Sequence, residues 1–99
     1  MDSNRLRISG RLSDAAPLRY TPAGIPVREF RLKHASVQEE AGIGRKVEFE
    51  ISCMAVADAA LNISDQQAGK QVNLEGFLAR KSMHSAELVL HAKQIEFIG

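Results

Sequence analysis

A lone cysteine, Cys53, leaves no partner for an intramolecular disulfide and no second thiol for a Cys-based zinc site. Aromatic residues are few, four Phe and one Tyr, so a chain of 99 residues builds one modest core and gains from self-association. No apolar run approaches the length needed to span a bilayer, and the start, Met1 to Arg5, has no apolar stretch behind a basic flank. The expectation is a soluble cytoplasmic protein with no membrane partner. His34, His84 and His91 lie far apart, without the spacing of metal ligands. No phosphate-cradling glycine motif and no G-x-S-x-G elbow occurs. Glu39-Glu40 and Glu48/Glu50 have no partner nucleophile to serve as an acid-base pair. Neither a cofactor nor an enzymatic activity is expected.

What is present is a globular composition, 44% apolar and 25% charged, with charge unevenly spread. Residues 1–34 hold seven Arg/Lys against three Asp/Glu, residues 35–65 two against six, and residues 66–99 four against three. The chain therefore runs +4, −4, +1. A local basic face can bind a polyanion despite a net charge of only +1.

Period-two alternation is the dominant pattern. In "RLRISGRL" (5–12), Leu6, Ile8 and Leu12 share one face and Arg5, Arg7, Ser9 and Arg11 the other. Gly10 falls in phase with the apolar set, where a strand glycine marks a bend, bulge or close backbone approach. "SDAAPLRYTPAGIP" (13–26), with three prolines, reads as a structured loop. "VREFRLKH" (27–34) is a second strand, with Phe30 and Leu32 inward and Glu29, Arg31 and Lys33 outward. Residues 35–44 read as a connection closed by Gly42 and Gly44. A third strand, 45–56, puts Val47, Phe49, Ile51, Cys53 and Ala55 inward, so Cys53 is a packing residue. Its far end, with Met54 and Val56, reads as buried on both faces. Residues 57–70 hold the one plausible helix, capped by Asp58. "QVNLEGFLARK" and "ELVLHAKQIEFI" make a final hairpin across Ser82–Ala86, with His84 in the loop and His34 and His91 at strand ends or on the surface.

Three strands, a short helical or irregular connection and two further strands fit an all-β, five-stranded Greek-key barrel of the oligonucleotide/oligosaccharide-binding (OB) fold, as one domain over residues 1–99. A small open β-sandwich is the rival. In an OB barrel the face around strands 2 and 3, with the loops joining strands 1–2 and 4–5, forms the groove. Here those parts contain Arg19, Tyr20, Lys33, Arg80, Lys81 and His84. An electrostatic track with one ring for stacking suits backbone-directed binding of single strands.

Several blocks carry a resemblance: "NRLRISG" (4–10), "APLR" (16–19), "GIP" (24–26), "SVQEEAG" (36–42), "GF" (76–77) and "LHAKQIE" (90–96), in that order. Together they resemble the primosomal replication protein N, or PriB, family over nearly the whole chain. The resemblance implies an OB-fold homodimer that binds single-stranded DNA and joins the restart helicase PriA. DnaT and the single-stranded DNA-binding protein are the further partners it suggests. It implies no catalysis. The family's basic residue after the "AG-x-x" turn is kept as Arg45, and Lys81 keeps part of the basic cluster between strands 4 and 5. Where familiar members have aromatics, this chain has Ile43 and Glu48.

Loss of a stacking aromatic costs roughly 1–3 kcal/mol per base, so weak, strongly salt-dependent binding is expected. Arg19, Arg45, Lys46, Arg80 and Lys81 carry it, with Tyr20 the best stacking ring. The alternative is an adaptor acting by protein contacts, with a weakened nucleic-acid groove. Backbone and stacking contacts do not by themselves distinguish DNA from RNA.

Overall fold

Alternating sequences that bury one face and wet the other make strands, and the described residues form six. They are β1 (Leu6–Ala15), β2 (Arg19–Tyr20), β3 (Pro26–Glu40), β4 (Ile43–Val56), β5 (Gln71–Arg80) and β6 (Leu88–Phe97). A single helical turn, α1 (Asp58–Leu61), and a 3-10 turn at Asp65–Gln67 separate β4 from β5. The computed structural model describes residues 1–98.

The sheet runs β1-β5-β6-β4-β3-β2, and β1 also pairs with β3, which closes five long strands into a barrel. β2 is a two-residue addition along β3, where Arg19 meets Val27 and Tyr20 meets Pro26. All pairings are antiparallel except β4 with β6, which are parallel over Cys53↔Leu90 and Met54↔His91. This is the expected OB barrel, and the rival sandwich is set aside. Its interior is largely aliphatic: Leu12, Leu32, Val72, Leu74, Leu90 and Cys53 are fully buried, with Phe30 packed among them. Each such leucine contributes about 1.5–3 kcal/mol by leaving water.

Closure depends on β1 changing partners midway. Leu6 to Arg11 pair with β5, whereas Arg11 to Ala15 pair with β3. At the crossing, a Cβ on Gly10 would collide with the carbonyl oxygen of Lys33, so the close approach requires glycine.

Several expectations are corrected. Ser13–Ala15 continue β1 past a bulge between Leu12 and Asp14 instead of opening a loop. Residues 35–40 are strand, not connection: β3 and β4 pair without interruption to Glu40↔Ile43, joined by Ala41 and Gly42. The resulting ribbon reaches past the barrel with no third strand beside it among the described residues. Water wets both of its faces, so the apolar alternation that announces a strand is missing from "SVQEE". The far end of β4 is not buried on both faces, since Met54 is half-buried and Val56 is exposed. α1 is one turn long, and Asp58 lies inside it; the capping position is Ala57, which makes no side-chain cap bond.

Arg28 is an additional surprise. It shares the inward phase of Phe30 and Leu32 and is only 5% exposed. At the end of the barrel its guanidinium pairs with the carboxylate of Asp65 in the 3-10 turn. A buried charge needs such a partner, and a short polar turn supplies it.

Candidate nucleic-acid interface

The outer face of β3, β4 and β6 carries a groove of about 580 Å³ between the β1–β2 connection and the β5–β6 hairpin. Arg19 enters from β2, Arg80 and Lys81 from the hairpin, and Arg31 from the β3 wall. Asp14 and Glu29 also line it. Three residues expected from the sequence, Arg19, Arg80 and Lys81, are thus brought together.

The other expected residues lie apart from this groove. Lys33 is two residues along β3, opposite Glu50, and lines the next hollow with His34 and Phe49. Tyr20 is exposed on β2 beside Pro26 and does not line the groove. His84 is exposed in the hairpin loop. Arg45 and Lys46 are near the tip of the ribbon, with Arg45 opposite Gln38. That rung is seven residues beyond Arg31, or about 23 Å of strand.

Much of the positive charge is already balanced. Arg19 lies 4.0 Å from Glu29, Arg31 3.4 Å from Glu50, Arg45 3.1 Å from Glu40 and Lys81 3.8 Å from Glu87. Pairs this exposed add little stability, but they lower the local potential. Arg5, Lys33, Lys46, Arg80 and Lys93 form no ion pair among the described residues. Glu50 therefore has a defined role beside Arg31. Glu48, opposite Ala35, adds uncompensated negative charge to the ribbon.

Cys53 backs the groove from inside the barrel. Burial pushes its thiol up to about 12; a backbone hydrogen bond from Leu32 and the charge of Arg31 offset part of that rise. A thiol held protonated is a packing group and not a nucleophile.

Two ring pairs escaped the sequence reading. His34 and Phe49 face each other in the ribbon at 5.0 Å, and His34 is pinned at both ring nitrogens, to the Ser9 carbonyl at 2.6 Å and Ser36 Oγ at 2.8 Å. Phe49 keeps the inward phase yet is 41% exposed, because the ribbon has left the barrel there. His91 stacks on Phe77 at 4.9 Å, with the rings 4° from parallel. Both His34 and His91 are mid-strand, not at strand ends. For Phe77 a signal existed: a large apolar residue on the outward phase of β5.

A closed five-stranded barrel with a cation-lined groove on this face defines an OB-fold module. Residues 4–94 match the family model described as "Another single-strand binding protein family". The replication restart protein PriB of Nitrosomonas europaea is 43% identical over 98 residues, covering 99% of this chain and 91% of that protein. The PriB of Bordetella pertussis is 40% identical over 96 residues, covering 97% and 90%. The solved PriB structure from Ralstonia solanacearum superposes with a TM-score of 0.89 at 33% identity, covering 99% of this chain and all of that one. The single-stranded DNA-binding protein of Thermus aquaticus shares the fold, with a TM-score of 0.78 at 22% identity over 98% of this chain and 50% of that one. The chain belongs to the PriB family of replication restart proteins.

Proposed function

We propose that this protein binds single-stranded DNA during replication restart, as a homodimer that recruits and stimulates the helicase PriA. DnaT and the single-stranded DNA-binding protein are its further partners. The reading is supported above all by the convergence of Arg19, Arg80 and Lys81 on one OB groove in a chain of this family. Lys33, Arg45 and Lys46 extend the contact along the ribbon, with Tyr20 and His84 at the margins. Phosphate contacts release counterions, so affinity falls steeply with salt. Because four of the nearby cations are already ion-paired, binding is weak. A fluorescence-anisotropy titration of oligo-dT at two salt concentrations tests this. Micromolar affinity that weakens sharply with salt is expected; nanomolar affinity with a flat salt response overturns it.

The same ion pairs favour a second reading, an adaptor whose DNA groove is partly neutralised. Replacing Arg45 and Lys81 by alanine separates the two. Under the first reading, DNA binding and helicase stimulation fall together. Under the second, stimulation survives.

A further inference from the structure

Met54, His91 and Phe77 form one row across three neighbouring strands on the outer face of the barrel. Met54 is the register partner of His91, and His91 of Phe77. The His91–Phe77 separation of 4.9 Å equals the spacing between adjacent strands, so the stack runs across the sheet and not along it. Such a row belongs in a core, yet all three residues are only half-buried.

The surroundings of the row indicate what it takes. His91 and Met54 line the proposed DNA groove, together with Arg80 and Lys81. On its other side Phe77 lines a hollow with Asn4, Arg5, Lys93 and Glu75, whose carboxylate is paired with Arg7. A third hollow, reaching α1, contains all three members of the row and Lys93. The two ends of the stack therefore open beside Arg80 at one side and beside Arg5 and Lys93 at the other. None of these three cations forms an ion pair among the described residues, in contrast to Arg19, Arg31 and Lys81.

We infer that Phe77 and His91, with Met54 beside them, are the base-stacking platform of this protein, and that single-stranded DNA leaves the groove across them toward Arg5 and Lys93. The inference rests on the single-strand-binding reading and supplies the stacking surface that Tyr20, outside the groove, does not. Every base has a π-face, so a row of rings flanked by free cations suits sequence-tolerant stacking with phosphates held on either side. Parallel rings on paired strands hold each other upright, so little ordering cost remains when a base joins them.

Photocrosslinking tests the path on the unmodified protein. Oligo-dT carrying 5-iodouracil is irradiated in the complex, and crosslinked peptides are identified by mass spectrometry. Adducts at Phe77 or His91 are expected; adducts confined to Tyr20 or the ribbon overturn the inference. In anisotropy titrations, Phe77→Leu weakens oligo-dT binding roughly 5- to 150-fold at an unchanged salt slope, because a ring and no charge is removed. The pair Arg5→Ala and Lys93→Ala lowers the salt slope by about 0.7 for each phosphate left without its cation. Unchanged affinity in the first variant, or an unchanged slope in the second, sinks the inference while leaving the single-strand-binding reading intact. Failure of the unaltered protein to bind oligo-dT even at low salt removes both.

Discussion

Cys53 carries a pH dependence that belongs to one atom. Its thiol is raised from 9.0 to about 12 by burial in the barrel wall. An unfolded thiol ionises near its ordinary value while the folded one keeps its proton. Below pH 9 the two states bind the same proton and the full stability is present. Between about 9 and 12 the folded state binds one proton more, and stability falls by ~1.4 kcal/mol per pH unit. Cys53→Val removes this slope. Urea unfolding at about pH 8 and about pH 10.5 should show the natural protein losing ~2 kcal/mol more than the variant across that interval. Equal losses would rule out a protonated buried thiol. Position 53 was legible in the sequence, because five alternating apolar residues fixed its direction. Arg28 was not: alternation aims it inward, but only a turn 37 residues later supplies the carboxylate that makes an inward arginine tolerable.

At the scale of elements, the β3–β4 ribbon turns on two residues. Its tip holds Ala41 at φ 55° and Gly42 at φ 79°, the primed geometry that matches the twist of paired strands. Alanine is strained there, whereas asparagine tolerates the left-handed region. Ala41→Asn should therefore stabilise the ribbon by about 0.5–1 kcal/mol. Slower hydrogen exchange at the amides of residues 37–46 is the readout; faster exchange contradicts the turn assignment. Five strands, the inward phase of their core residues and the last hairpin followed from periodicity, while the outward face at the end of β4 was misread as buried. The ribbon did not, because a two-stranded arm wetted on both sides leaves no hydrophobic pattern to read. The same limit hid the stacking row. Met54, His91 and Phe77 stand on three different strands, and only the register of β4 with β6 and of β6 with β5 brings them together. The groove was half legible: Arg19, Arg80 and Lys81 converge as OB topology demands, while Tyr20, Arg45 and Lys46 lie elsewhere. Glu48 and Glu50, which look alike in the sequence, part company in the structure, one idle and the other facing Arg31.

For the whole molecule, a lone ribbon with exposed Val37, Ile43 and Phe49 is hard to reconcile with an isolated chain. The proposed homodimer predicts a light-scattering mass of twice the 10.9 kDa chain at micromolar concentration. A mass of one chain at that concentration would remove the dimer from the reading. The parallel pairing of β4 with β6 has another consequence. It spans only Cys53↔Leu90 and Met54↔His91, and with the longer antiparallel pairing of β1 with β5 it joins the first half of the chain to the β5–β6 hairpin. With two register pairs against six, it is the shorter of the two joints. The groove lies directly over this seam. On the proposed function, a strand of nucleic acid seated there works as a suture across that shorter joint, raising the free energy needed to part it.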